Sequence, residues 1–129
     1  MTGLPLKLAV ASKDGISINE HFGHAKVFHI NSVSENQCLL LEQRQVEHYC
    51  HGNSGNQSAM AMILQTISDC HGVFVAKIGD GPAEKLAAIG VQAISDYAYE
   101  AVEASLLDYV RIRAKKEMEK ADMNIKERG

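Results

Sequence analysis

The 129-residue chain contains no apolar run approaching the roughly 20 residues needed to cross a bilayer, and neither end carries a lipidation pattern. A membrane partner is therefore not expected. It also has no excess of positive charge: 16 acidic residues stand against 13 basic ones, so no global field of the kind that draws proteins to nucleic acid is present. Basic residues gather between Arg111 and Arg128, but Glu117, Glu119, Asp122 and Glu127 interrupt them, which describes a solvated helix and tail and not a polybasic arm. Cysteine is scarce and odd in number, three residues in unlike surroundings with no signal-peptide core before them. A disulfide framework is not expected, and the reducing cytoplasm is the expected setting.

Several catalytic templates are missing too. The turn Gly79 to Gly81 is too short for a phosphate-binding loop and lacks its Lys-Ser/Thr ending. A nuclease of ribonuclease H type needs carboxylates on its first strand to hold magnesium, and Leu6 to Ser12 has none. Cys50 and His51 are adjacent on a loose loop, which fixes no attack geometry for a thiol nucleophile, and no set of oxyanion donors accompanies them. The chain is not expected to be an enzyme.

What is present is one domain's worth of alternating elements, long enough to bury a core without cross-links. Residues 1–114 form that domain, and 115–129 a charged helical extension or tail. Leu6 to Ser12 reads as a buried first strand ending at a Lys-Asp-Gly turn, followed by a polar loop over residues 13–24. Lys26 to Val33 and Cys38 to Glu47 form a hairpin whose second arm alternates, with Leu39 and Leu41 on one face and Leu40 on the other. A Gly/Asn/Ser/His-rich loop over 48–58 leads to a helix from Ser58 to Asp69, capped by Ser58 or Asn56 and lined by Ile63, Leu64 and Ile67. Gly72 to Ile78 is a central strand. Pro82 in the first turn and Gly90 at the end bracket the next helix, a short strand covers Val91 to Ile94, and Asp96 begins a last helix with Tyr99, Val102, Leu106 and Val110 as its stripe.

A hairpin unit followed by two right-handed βα crossovers predicts an α/β protein with helices on both faces of a mixed five-stranded sheet, order 3-2-1-4-5, with strand 2 antiparallel to the rest. Strands 1, 3, 4 and 5 then run parallel, so the segments after them emerge at one rim, beside the reversal in strand order where open α/β sheets place ligands. Those segments carry His21-Phe-Gly-His24, His48-Tyr-Cys50-His51, Lys77 to Gly81, and Asp96-Tyr97. Cys70 and His71 precede their strand and fall at the opposite end.

Imidazole and thiolate donors suit zinc, copper and iron and not the hard cations, which take oxygens. Either cluster alone is weak, since a histidine beside Phe22-Gly23 can as well serve structure. Convergence at one rim raises their weight. Phe22 would anchor the loop in the core, and Gly23 would permit a positive φ or a close approach. A cysteine in a glycine-rich loop is out of keeping with packing, whereas His29, Cys38 and Cys70, in or beside strands, read as structural. Lys77 would place its ammonium near a helix N-terminus, where anions are stabilised, or would merely extend its head into solvent.

The ordered set His21-Phe-Gly-His24-Ala25, Tyr49-Cys50, Asp69-Cys70-His71, Val75-Ala76-Lys77-Ile78-Gly79-Asp80-Gly81-Pro82 and Ser95-Asp96-Tyr97 resembles the nitrogenase accessory factor family, the NifX-like and NafY-like cofactor carriers and the C-terminal domain of NifB. The likeness runs from about Leu6 to Tyr109. It implies a three-layer, ribonuclease H-like α/β/α fold without nuclease activity, and binding of an iron-sulfur precursor or the iron-molybdenum cofactor, with nitrogenase maturation proteins or apo-dinitrogenase as partners. Carried over by that resemblance, His21, His24 and Cys50 are the metal-ligand positions, joined by His51 and Lys77 in the cofactor-binding set. The radical-SAM cysteine motif of full-length NifB is absent. Two other readings stand beside the carrier: a simple domain holding zinc or iron through two histidines and a cysteine, and an interaction module that contacts a nitrogenase subunit or another domain through its last helix.

Overall fold

The computed structural model describes residues 5–46 and 56–128. Five strands, β1 (Leu6–Ala11), β2 (Val27–Val33), β3 (Cys38–Gln45), β4 (Gly72–Phe74) and β5 (Gln92–Ile94), alternate with α1 (Asn56–Thr66), α2 (Asp80–Ala88) and α3 (Val102–Arg128) in the sequence order β1-β2-β3-α1-β4-α2-β5-α3. The sheet order is β3-β2-β1-β4-β5. β2 is antiparallel to both β1 and β3, whereas β1, β4 and β5 run parallel. This is the topology that the hairpin and crossover rules predict.

The alternation of the strands divides the core into two layers. Ala9, Ala11, Phe28, Ile30 and Val73 pack with Ile63 of α1, Ile67 in the turn after it and Leu86 of α2. Leu6, Leu8, Val10, Val33 and Phe74 pack with Val102, Leu106 and Val110 of α3 on the other face. Each large aliphatic side chain fully buried in this way contributes about 1.5–3 kcal/mol, so both faces of β1 must be covered for the strand to be stable. The side chain of β1 that faces neither layer fully, Lys7, reaches out of the sheet to Asp69.

Asp69 joins separate elements. Arg44 on β3 donates from both terminal nitrogens to its carboxylate at 2.7 and 3.1 Å and also to the Thr66 carbonyl, while Lys7 Nζ lies 3.0 Å away. The Arg44 guanidinium, aided by the Lys7 ammonium, holds the Asp69 carboxyl well below the usual carboxylate range. The outer edge of the hairpin is thus tied to the turn between α1 and β4.

Four sequence expectations are corrected. The loop over 13–24 is not simply polar: Ile18 is fully buried, and Ser17 bridges Ala101. The β3 leucines do not alternate, because a bulge after Leu40 skips Leu41 in the pairing with β2; Leu39, Leu40 and Leu41 are all at least half exposed. Helix α1 begins at Asn56 and stops at Thr66, which places Ser58 inside it and frees Asp69 for its ion pairs. The last helix starts at Val102, not Asp96, because Tyr99 and Glu100 are held out of it by hydrogen bonds with Ile18 on both sides of that residue's backbone. Tyr99 adopts φ 65°, incompatible with a right-handed helix, and is exposed.

His29, Cys38 and Cys70 pack as expected. His29 is buried with Nε2 3.3 Å from the Ser12 carbonyl oxygen, under the Gly15 turn. Cys38 borders the α3-side core and Cys70 belongs to the other.

Gly72 opens β4 where β5 lies closest. A Cβ there would fall 2.9 Å from Ile94 Cδ1 and 3.1 Å from the Gln92 carbonyl oxygen, and the backbone oxygen cannot rotate away. Gly72→Ala is expected to destabilise the fold by about 1–3 kcal/mol, read as a lower urea midpoint with an unchanged slope. A second expectation concerns acid. Because Asp69 is depressed in the folded state, its stabilisation is present above the ordinary carboxylate pKa of about 4 and is lost as pH falls toward its own lower value. With the side chain 47% exposed, the contribution is at most about 1 kcal/mol. Urea midpoints of the parent and Asp69→Asn proteins should differ at pH 7 and converge below pH 4.

Candidate functional site

β4 is shorter than the apolar run Gly72 to Ile78 suggests, and the reason lies at the rim. β1 ends at Ala11, so beyond Phe74 the chain loses its neighbour on that side. The loop after β1 turns back and supplies a replacement. The Glu20 amide donates to the Ala11 carbonyl at 3.3 Å, the Ala76 amide to Glu20 at 2.9 Å, and the Phe22 amide to Lys77 at 2.9 Å. His21 and Lys77 form an isolated parallel bridge. Two of the sequence-selected residues, from loops more than 50 positions apart, are thereby held side by side on the backbone itself.

Phe22 secures this arrangement from below. Its side chain is 1% exposed, packs in the α1–α2 core, and lies 6.2 Å from Phe28 between ring centroids. Residues Phe22–His24 form one turn of 3-10 helix, closed by the His24 amide on the His21 carbonyl at 3.0 Å. The turn sets the two imidazoles nearly parallel, 13° between planes and 5.7 Å between centroids. Both imidazoles thus come from one short turn of the rim.

Gly23 between them does not have positive φ, contrary to one of the two roles expected for it. The other is not seen either: an added Cβ would meet nothing within 4 Å, so no close approach requires glycine here and the space above the histidine turn is open. Lys77 is exposed beside it. The turn that follows leads into α2, where Gly79 takes the N-cap position with extended backbone and no side-chain cap, and Gly81 likewise faces open space. Asp80 occupies the first turn of α2. Among the described residues no third His, Cys, Asp or Glu joins the histidine pair in a metal-sized group. Cys50 and His51, and His48 with them, lie outside the described residues.

The chain matches the family model for dinitrogenase iron-molybdenum cofactor over residues 5–111. It belongs to that family. Among curated relatives, it is 40% identical to the FeMo cofactor biosynthesis protein NifB of Herbaspirillum seropedicae over 84% of its own length, and 39% identical to NifB of Bradyrhizobium diazoefficiens over 86%. It spans only 21–22% of the length of those relatives. A provisionally named dinitrogenase from Methanocaldococcus jannaschii has a similar fold, with a TM-score of 0.54 at 12% identity over 85% of this chain and 92% of that one. The matched residues of the family model take in the whole rim, from the histidine turn through Lys77 to the turn at 96–101.

The opposite end of the sheet is chemically quiet. Cys70 is 4% exposed, and burial, with the Asp69 carboxylate close by, pushes its thiol up to about 12. Burial also raises Cys38, with Glu103 adding to it. The thiolate is the reactive form, so burial makes both thiols less reactive than an exposed cysteine. Backbone pairing of Glu20 with Ala76 is the part of the site that sequence reasoning missed; its one trace is the strand-like sequence continuing past Phe74 to Ile78. In folded protein at pH 8, iodoacetamide should leave Cys70 unmodified over a period that fully labels it in urea, as read by peptide mass.

Proposed function

We propose that this domain is a non-enzymatic carrier that holds an iron-sulfur precursor or the iron-molybdenum cofactor during nitrogenase cofactor biosynthesis. The observation that carries this reading is the His21–Lys77 bridge, which sets two imidazoles and a cation around an open surface and not around a closed cavity. An iron-sulfur cofactor is bulky and anionic. His21 and His24, with Cys50 from the following loop, would ligate iron, while His51 and Lys77 would line the site and offset its charge. The open space at Gly23 and Gly81 suits a cluster too large for a four-ligand metal cage.

Reversible transfer favours such a site. A structural zinc centre closes four ligands around one ion and contributes to folding, whereas a carrier must release its cargo to maturation proteins or to apo-dinitrogenase. Few protein donors on an open rim leave most of the cluster accessible to the acceptor. The family relation to NifB supports the biosynthetic context, and the absence of a membrane-length apolar helix among the described residues is in keeping with cytoplasmic exchange.

Anaerobic titration of the apo-protein with a cofactor precursor, followed by gel filtration and iron and sulfide analysis, tests the proposal. The His21→Ala/His24→Ala/Cys50→Ala protein should retain at least about 10-fold less iron, on the scale of lost ligand support. Equal retention by parent and triple variant would sink this site. Lys77→Ala should weaken binding by about 2–5-fold at low salt and less at high salt, as a screened surface charge does. Stoichiometric zinc without iron or sulfide in protein purified without added metal would favour the simple zinc domain instead.

A further inference from the structure

β5 ends the sheet on the side away from β3. The Gln92 amide donates to His71 and the Ile94 carbonyl accepts from Val75, so these two residues turn their backbone groups toward β4. Successive residues of a strand alternate, and Ala93 therefore presents its N–H and C=O along the outer edge. A groove runs along each side of that edge. On the α2 side a cavity of about 480 Å³ is floored by small residues, Ala83, Ala87 and Gly90 among them. On the α3 side one of about 340 Å³ runs past Gln92, Tyr97 and Tyr109.

The charges in the α3-side groove are polarised along the strand. Asp96 follows the carboxyl end of β5. Arg113 and Lys116 line the other end, and Arg113 also borders the groove at His71. α3 runs antiparallel to β5: Ala104 and Ser105 line a cavity with Asp96 and Tyr97 beyond the strand's end, whereas Arg113 lines one with Gly90 and Gln92 at its start. One end of the groove is thus acidic and the other basic.

We infer that the β5 edge pairs with β5 of a second copy of this chain, antiparallel about a two-fold axis at Ala93. That operation makes the groove its own complement. Asp96 of each protomer meets Arg113 and Lys116 of its partner, and the two Ala93 residues exchange both backbone hydrogen bonds in a continuous ten-stranded sheet. On the other face the α2 helices come alongside one another, and Ala83 and Ala87, one turn apart, allow the 8–10 Å separation at which helices pack. The histidine rims then point in opposite directions and both remain open. The other sheet edge is less suited: β3 carries a bulge at Leu41 and the Glu42–Arg44 ion pair, both devices that blunt an edge.

The test is sedimentation equilibrium of the full chain and of three variants across a concentration series. The parent should dimerise. Asp96→Lys alone and Arg113→Glu/Lys116→Glu alone should each weaken dimerisation at least about 10-fold through like-charge contacts, and an equimolar mixture of the two should recover it, because opposite charges meet again only between unlike copies. That recovery is not expected of a charge effect within one protomer. A parent that stays monomeric at several hundred micromolar would overturn the inference. So would dimerisation abolished by Leu40→Lys on β3 and unaffected by the β5 variants.

Discussion

The rim depends on one constraint, the backbone bridge between His21 and Lys77. β1 is six residues long, too short to accompany the chain that leaves β4, and the Ala76 amide and Lys77 carbonyl would be left without their present partners where the chain passes from buried Val75 to exposed Lys77. An unpartnered buried backbone group costs about as much as a lost hydrogen bond. The loop after β1 removes that cost by doubling back to lie where the strand would have continued. In doing so it delivers the histidine turn to the mouth of α2, and the chemistry of the rim follows from the completion of a sheet.

Burial of Phe22 makes the bridge stiff. Two backbone hydrogen bonds alone contribute about 1–3 kcal/mol between them, little more than the entropy of ordering the residues they join. A fully buried aromatic ring in the same three-residue turn adds about 1.5–3 kcal/mol more. Ile18 does the same for the opposite side of the loop, where Ser17 and Ile18 pair with Tyr99 to Ala101. The loop is therefore pinned by an apolar residue to each core layer, with the histidines carried between the core and solvent. This division lets the exposed residues vary in chemistry without loosening the frame.

Much of this was legible in the sequence. Strand order, the two-sided core and the convergence of His21, His24 and Lys77 follow from the periodicity of short apolar runs and from the handedness of crossovers, both of which are local or topological rules. The places that resist reading are those where a backbone group finds a distant partner. Nothing in Asp96 to Tyr99 announces that the helix must wait until Val102; the residues are acceptable in a first turn, and only the bonds to Ile18 exclude them. Ile16 and Ile18 in a polar loop were the available signal, and Ile16 is exposed while Ile18 is buried. The bulge that exposes Leu41 is similarly silent, since alternation alone counts residues and not hydrogen bonds. Cys50 and His51, candidates by donor chemistry and resemblance, lie outside the described residues.

The two ends of the sheet differ in a way that bears on how the domain could exchange a cluster. At the amino end, Asp69 is paired with Arg44 and Lys7, and Cys70 beside it is buried, which raises its thiol. At the carboxyl end, glycines replace side chains around the histidine turn and no ion pair among the described residues involves Lys77. A cation already paired would have to break that pair before meeting an anionic ligand, losing about as much as it gained. Leaving Lys77 exposed keeps its charge available over the Debye length of about 8–10 Å, enough to act on a cluster before iron is ligated. The proposed carrier would then attract its cargo by charge and retain it by coordination, and release would require the breaking of only a few bonds at an open surface.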